Sequence, residues 1–107
     1  MLDKHLYHIY NINIIFEWDN AKNEYNKKKH DGIGFEFAVR VFLDEKRIEK
    51  YDYKHSTATE DRWNVIGLVD DVLFVVYTER NDKMRIISAR KATQEECNEY
   101  YDNYDFR

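Results

Sequence analysis

The sequence predicts an α+β fold: two N-terminal helices packed on an antiparallel β-sheet meander, with a short C-terminal helix. Three observations predict it. Apolar residues recur at helical spacing near residue 40, short β-rich runs follow residue 47, and two-residue Asp or Asn turns separate these runs. Because 107 residues is the usual length of one domain, we expect a single domain over residues 1–107.

The N-terminal part begins with residues 1–12, which are polar and aromatic without a clear period. We expect them to form an N-terminal extension or an edge strand. Residues 12–16 (INIIF) are β-rich and predict a short strand. Asp19 can then cap a helix over residues 20–30, because its carboxylate can accept from an unpaired backbone N–H.

Two helices are expected before the sheet. In the first, one side should carry Trp18, Ala21 and Tyr25, and the other Lys22, Asn26 and Lys29. Residues 31–34 (DGIG) form a break, since glycine permits left-handed backbone. The second helix, over about 35–43, has the spacing of an amphipathic face and should bury Phe35, Ala38, Val39 and Phe42.

From residue 47 onward the pattern changes to short strands. The predicted strands are one with Ile48, Tyr51 and Tyr53, and then residues 62–69, 72–80 and 83–90. A polar loop over 54–61 separates the first two, and two-residue turns at 70–71 and 81–82 join the others. Thr93 and Glu96 fit a capping box that opens the C-terminal helix.

Composition excludes several classes of protein. The net charge is −4, which argues against a globally basic nucleic-acid-binding surface but allows a local basic patch. Cys97 is the only cysteine, so an intramolecular disulfide is excluded and a Cys-based zinc site is disfavoured. Apolar runs are too short for a membrane span, and no signal-peptide pattern is visible. We expect a cytoplasmic protein without a membrane partner.

A basic run at the end of the first helix is the first candidate site. It consists of Lys27, Lys28, Lys29 and His30. One interpretation is a solvated helix end, where cations suit the helix dipole. The other is a patch that binds phosphate, with the imidazole available for proton transfer near neutral pH.

The polar loop over residues 54–61, with the first residue of the strand that follows it, is the second candidate site. It brings together His55, Ser56, Glu60 and Arg62. A histidine and a glutamate could act as acid and base, but a polar connecting loop is the simpler interpretation. The patterns HExxH and GxSxG are absent, which excludes the corresponding metalloprotease and serine-hydrolase readings.

The last hairpin is the third candidate, and its register is open. With a two-residue turn, Arg80 lies beside Lys83 and Arg85 in a cationic tip. With a three-residue loop, Arg80 shares its face with Ser88 and Arg90. Unpaired arginines are costly to bury, so these must emerge at a rim or meet an anion.

Two simpler interpretations apply to the end of the chain. The hairpin arginines can be ordinary edge residues that pair with Glu79 and Asp82. The acidic tail, with Tyr100 and Tyr104 at helical spacing, can dock on the sheet, although its anionic surface could also face a basic partner or shield the basic patch.

Ordered sequence blocks from about residue 14 to 101 resemble the BrnT toxins. The blocks are residues 16–22, 26–30, 34–38, 44, 52, 55–56, 60–62, 66–67, 75–80 and 85–90. The resemblance implies a RelE-like α+β fold and a bacterial type II toxin–antitoxin module. It implies metal-independent RNA cleavage without a cofactor, through attack of the 2′-hydroxyl. The implied partner is a BrnA-like ribbon-helix-helix antitoxin, which neutralises the toxin and contacts operator DNA.

The resemblance also implies roles for individual residues. Arg80, Ser88 and Arg90 belong to matching blocks and are expected in the catalytic site. The two arginines would bind and stabilise the phosphate, and Lys29 would position it. His30 or His55 would transfer protons, with Glu79 as a reserve base. The remaining residues expected to contact RNA phosphates are Lys27, Lys28, Arg62 and Arg85. The alternative function is a catalytically inactive module that still binds an antitoxin and contributes to operon repression.

Overall fold

The computed structural model describes residues 4–8 and 13–104, with side chains from residue 13 to 103. The strands are β1 (Lys4–His8), β2 (Ile15–Asp19), β3 (Ile48–Tyr51), β4 (Arg62–Val69), β5 (Asp71–Arg80) and β6 (Lys83–Lys91). The helices are α1 (Asn20–Lys29), α2 (Phe35–Ala38), a 3-10 helix (Val39–Leu43) and α3 (Gln94–Tyr104). In this described part, every helix is too short or too polar to cross a membrane.

The strands form one mixed sheet in the order β1-β2-β6-β5-β4-β3. From β3 to β6 the expected antiparallel meander is confirmed. The expectation of a purely antiparallel sheet is wrong, because β2 pairs with β6 in parallel. The helices carry the chain from β2 to the far edge of the sheet, and the meander returns with β6 running in the direction of β2.

The N-terminal segment pairs with the edge of this sheet. β1 is antiparallel to β2, so the edge-strand alternative applies to residues 4–8. Residues 1–3 and 9–12 lie outside the described part, and so does residue 12 of the strand predicted over 12–16. The strand observed here begins at Ile15 and runs to Asp19.

The main core lies between one face of the sheet and the helices that follow β2. The ring of Phe42 lies 5.3 Å from the rings of Phe16 and Tyr77. The second predicted helix is divided into α2 and the 3-10 helix, and its expected core residues are buried. They are Phe35, Ala38, Val39 and Phe42.

The C-terminal helix covers one end of the opposite face. The predicted capping box is confirmed, because the Glu96 N–H donates to Thr93 Oγ1 at 3.2 Å and the Thr93 N–H donates to Glu96 Oε1 at 2.8 Å. Tyr100 is buried with Ile66 and Val72, which confirms that the tail docks on the sheet. The side chain of Tyr104 lies outside the described part.

The cap of α1 is confirmed, but Trp18, expected on one side of this helix, lies in β2. The Ala21 N–H donates to Asp19 Oδ1 at 2.8 Å. Ala21 and Tyr25 are exposed, while Trp18 is buried in β2. The helix instead buries two amides, Asn23 and Asn26.

Asn26 explains this orientation. Its side chain accepts from the Ala89 N–H at 3.1 Å and donates to the Ala89 carbonyl at 2.8 Å and to the Ile33 carbonyl at 2.9 Å. Ala89 lies on β6 beyond the pairing with β2. The amide therefore takes the place of a neighbouring strand and fixes α1 along that edge, with its buried polar groups satisfied.

The hairpin contains both a tight turn and a β-bulge. Asn81 and Asp82 form a two-residue turn with φ of 54° and 62°, which pairs Arg80 with Lys83 and Thr78 with Arg85. An irregularity at Val76/Tyr77 then shifts the register. The tip follows the two-residue alternative, and the bulge changes which residues of β6 share a face.

Beyond the bulge, Val76 pairs with Ser88 and Phe74 with Arg90. Directly opposed residues share a face, and so do every second residues along a strand. Arg80 and Arg85 therefore lie on the same face as Ser88 and Arg90. This is the face that carries α3 at one end.

Candidate active site

Beside α3, the same sheet face bears a cleft of about 370 Å³. It lies between the loop after β3 and strands β4, β5 and β6. We call it the sheet cleft. Its lining residues are Asp52, His55, Arg62, Asn64, Phe74, Val76, Ile87, Ser88 and Arg90. Four residues predicted from the sequence thus come together here: His55, Arg62, Ser88 and Arg90.

His55 is oriented in this cleft by Asp52. The imidazole Nδ1 lies 2.9 Å from Asp52 Oδ2, and the His55 N–H donates to Asp52 Oδ1 at 3.1 Å. Burial opposes ionisation of Asp52, but hydrogen bonds from His55 outweigh it and lower the pKa of the carboxyl. With Nδ1 held in this way, Nε2 is the ring nitrogen left for a ligand.

Sequence reasoning missed Asp52 as a member of the site. An aspartate three residues before a histidine can bond both its backbone and its ring, which is a recognisable local signal.

Ser56, which belongs to the second candidate site predicted from the sequence, holds this loop closed. Its Oγ donates to the Asp52 carbonyl at 2.7 Å and accepts from the Arg62 N–H at 2.8 Å.

Arg62 reaches the cleft from the start of β4. Its Nε donates to Glu60 Oε1 at 2.8 Å, and the other Glu60 oxygen lies 3.4 Å from Arg80. The hydrogen bond from Arg62 lowers the pKa of Glu60, with the charges of Arg62 and Arg80 adding to the effect. Glu60 therefore connects two guanidinium groups and does not act as a free base.

Arg90 is held more firmly at the opposite wall. Its two terminal nitrogens donate to the two Glu96 oxygens at 2.8 and 3.0 Å, and its guanidinium carbon lies 4.1 Å from the Phe74 ring centroid. Burial opposes ionisation of Glu96, but the Arg90 hydrogen bonds help to lower the pKa of this carboxyl. The Arg90 side chain remains 34% exposed.

Arg80 does not converge with Arg90. It lies six residues beyond the partner of Arg90 along β5, from Phe74 to Arg80, or about 20 Å at the usual rise of a strand. It lines a separate cavity of about 380 Å³ with Glu79 and Trp63, which we call the hairpin pocket. The expectation of two arginines meeting at one phosphate is therefore wrong. Glu79, the expected reserve base, is also outside the sheet cleft.

The simple pairing expected for the hairpin arginines is also wrong in its partners. Arg80 contacts Glu60, and Arg90 contacts Glu96, where Glu79 and Asp82 were expected. Arg85 is 6% exposed and pairs with the buried Glu17 at 3.5 Å across β6 and β2. The expectation that Arg85 contacts an RNA phosphate is therefore wrong, because its guanidinium is buried.

The basic run divides at the end of α1. Lys27 turns away and pairs with Glu24 at 2.9 Å and Glu36 at 3.4 Å, and these contacts raise its pKa. Lys28 is exposed and lines none of these cavities. Lys29 and His30 reach a third cavity of about 250 Å³, the α1 pocket, whose lining residues are Lys22, Tyr25, Asn26, Lys29, His30, Ile87 and Ser88.

The α1 pocket and the sheet cleft share Ile87 and Ser88. These residues lie at the β-bulge, and they connect the cavity that contains His30 with the cavity that contains His55. Within residues 13–103, no group of three or more His, Cys, Asp or Glu side chains is arranged to hold a metal ion. The arrangement therefore offers two imidazoles, a hydroxyl and several cations.

Comparison with known proteins identifies similar chains. A family model described as "Ribonuclease toxin, BrnT, of type II toxin-antitoxin system" matches residues 18–96. Among solved structures, the chain is similar to the 1.1 Å crystal structure of the Brucella abortus ribonuclease toxin BrnT, with 26% identity and a TM-score of 0.53. That match covers 72% of this chain and 94% of the Brucella chain. No curated protein matches the sequence.

Proposed function

The chain belongs to the BrnT family of type II toxin–antitoxin ribonuclease toxins, and on that premise we propose that it cleaves RNA in the sheet cleft. The observation that carries the proposal is the grouping of His55, Arg62, Ser88 and Arg90 around one cavity. Guanidinium groups suit phosphate because they stay charged and donate in a bidentate geometry. This assigns the phosphate to Arg62 and Arg90, and leaves Arg80 outside the reaction.

Cleavage in this proposal begins with the 2′-hydroxyl of one nucleotide. Its oxygen bonds to the adjacent phosphorus while the bond from phosphorus to the 5′-oxygen breaks. One group accepts the proton of the 2′-hydroxyl and another donates a proton to the departing 5′-oxygen. The products are a 2′,3′-cyclic phosphate and a 5′-hydroxyl, and no step calls for a metal ion or a cofactor.

We assign the two proton transfers to His55 and His30. They line two cavities that share Ser88, so a phosphate bound at Ser88 would have one imidazole in each adjoining cavity to serve as acid or base. Asp52 is a positioning residue, since it orients the His55 ring. Arg62, Arg90 and Lys29 stabilise the extra negative charge that develops on the phosphoryl oxygens.

We also propose that a BrnA-like ribbon-helix-helix antitoxin covers the sheet cleft and links the complex to operator DNA. The cations around the cleft would suit an acidic segment of that partner. We further propose that the fold is RelE-like, which the two N-terminal helical segments and the antiparallel meander from β3 to β6 support. A toxin of this kind would act in the cytoplasm, where its RNA substrate is found.

Two observations favour the alternative, a toxin-like module without catalytic activity. Arg80 and Arg90, which were expected to meet at one phosphate, lie far apart along the sheet. Arg62 and Arg90 each contact a carboxylate, Glu60 and Glu96. A catalytic guanidinium must remain able to reach substrate, and the exposed part of the Arg90 side chain satisfies that requirement. Equal growth after induction of the wild type and an Arg62→Ala, Arg90→Ala variant, with both proteins soluble, would support the inactive module.

The direct test is the chemistry of the RNA ends. Purified protein free of antitoxin is incubated with RNA in EDTA, and the fragment ends are identified. We expect 2′,3′-cyclic phosphates and 5′-hydroxyls, and their loss in His55→Ala. Fragments with 3′-hydroxyl and 5′-phosphate ends, or equal cleavage by His55→Ala, would contradict the mechanism.

A further inference from the structure

Tyr25 is an exposed aromatic side chain on an otherwise polar helix. Its surface is 64% accessible, although its neighbour Asn26 is buried and holds the helix against β6. A single exposed ring is ordinary on a protein surface. What distinguishes the Tyr25 ring from other exposed rings is its position beside the candidate site.

The ring lines the α1 pocket together with Lys22, Lys29 and His30. The Nζ atom of Lys29 lies 5.8 Å from the ring centroid. The pocket meets the sheet cleft at Ser88. A strand whose phosphate lies at Ser88 can therefore place a neighbouring nucleotide over α1.

Charge separates this pocket from the hairpin pocket. No carboxylate is among its lining residues, and its ionisable side chains other than Tyr25 are Lys22, Lys29 and His30. The hairpin pocket has three carboxylates, Glu60, Asp61 and Glu79, against one cation, Arg80, so its net charge would repel phosphate. A ligand of the α1 pocket should combine an anionic group with a flat ring, and a nucleotide combines both.

We propose that Tyr25 is a stacking platform for a base of the RNA strand whose phosphate lies in the sheet cleft. Lys22 and Lys29 neutralise the phosphate that flanks this base. This subsite rests on the proposed function, because it presupposes RNA in the cleft. Stacking of this kind accepts every base, since each has a π face, and it therefore contributes affinity more than sequence preference.

The test measures binding of an RNA oligonucleotide whose 2′-hydroxyls are replaced by 2′-fluoro groups, so that it cannot be cleaved. Tyr25→Ala should weaken binding about five- to a hundredfold, as expected for one lost base–aromatic contact. Tyr25→Phe and Tyr25→Trp should retain affinity. Tyr101→Ala removes a similarly exposed tyrosine from α3 and should have no effect.

An abasic nucleotide, moved along the RNA one position at a time, identifies the partner of the ring. At one position it should weaken binding to the wild type as Tyr25→Ala does, and it should add no further loss in Tyr25→Ala. Equal affinity of Tyr25→Ala and Tyr101→Ala would overturn the inference. So would an equal loss in Tyr25→Phe, because the contact would then be made by the hydroxyl.

Failure of the proposed function gives a different result. If the wild type binds RNA without cleaving natural RNA, the ribonuclease assignment fails and the same variants still decide the stacking. If it cleaves RNA and Tyr25→Ala changes neither binding nor cleavage, the stacking fails alone. If the wild type binds no RNA, both are overturned.

Discussion

The two ends of the exposed sheet face hold arginines in different surroundings. At the cleft end, Arg90 makes a bidentate contact with Glu96 and stacks on Phe74. At the hairpin end, Arg80 has one contact of 3.4 Å with Glu60, and its side chain is 46% exposed. Both belong to blocks that resemble the family, so motif membership alone does not distinguish them. In the proposed mechanism Arg90 therefore binds the phosphate and Arg80 does not.

The largest expected difference between the two ends is in RNA cleavage. Arg90→Ala should lower kcat/KM about 10²- to 10³-fold, which is the usual loss when one preorganised donor to a developing anion is removed. Arg80→Ala is the matched control and should stay within about threefold, since it removes only a distant surface charge. Rates on one RNA, with folding checked by circular dichroism, measure both. A larger loss in Arg80→Ala would reverse the assignment of the two ends.

The next effect concerns the orientation of His55. Asp52→Asn should lower cleavage about tenfold or more, a part of the 10²–10⁴ that a positioned acid or base contributes. The lowered pKa of Asp52 keeps this carboxylate ionised at neutral pH, where it holds both the ring and the backbone of His55. The variant loses this charged acceptor, so the loss should appear in kcat with little change in KM. An unchanged kcat in a folded variant would contradict the positioning role of Asp52.

The sequence prediction and the structure differ where the fold depends on features that the hydrophobic pattern does not contain. The boundaries of β4 and the two-residue turn were predictable, because alternation and turn residues act locally. The bulge that brings Ser88 to the face of Arg80 was not, since Ile86 and Ile87 suit either register. The orientation of α1 depends on Asn26, and helical periodicity counts such a residue as polar surface.

For the candidate site, too, the identity of the residues was predictable and their grouping was not. His55, Arg62, Ser88 and Arg90 were among the predicted residues, but their grouping without Arg80 depends on strand register over long range. Parallel pairing of β2 with β6 places Arg85 opposite Glu17, and the two side chains pair. No local signal marks that pairing, because the two residues are far apart in the chain.

The free energy of unfolding also distinguishes the two ends of the sheet face. Glu96→Gln should lower the free energy of unfolding by about 1–2 kcal/mol at pH 7, the low part of the range for charged hydrogen bonds, because Arg90 is partly exposed. The folded-state pKa of Glu96 is lowered, so this stabilisation is complete above the unfolded pKa of about 4.3 and is lost as pH falls through the folded value. Chemical denaturation at pH 7 and pH 3 tests it. A constant difference between the two pH values would contradict the assignment to ionised Glu96, and Arg80→Ala should change stability by less than about 0.5 kcal/mol.

The smallest effect is expected in the turn at the hairpin end. Asp82 has a φ of 62°, a conformation that glycine adopts without the Cβ penalty. Asp82→Gly creates the Asn-Gly turn typical of two-residue hairpins and should stabilise the fold by up to about 1 kcal/mol. Cleavage should not change, as measured beside a thermal melt. A loss of activity without a loss of stability would place the hairpin end in the reaction.

The most direct measurement is an NMR titration with the uncleavable 2′-fluoro RNA. It compares the signals of His55, Ser88 and the Arg90 side chain with those of residues 80–83 at the hairpin tip. We expect saturable shifts in the first group at RNA concentrations that leave the tip unchanged. Shifts confined to the tip, or none in the cleft while RNA is bound, would contradict the account.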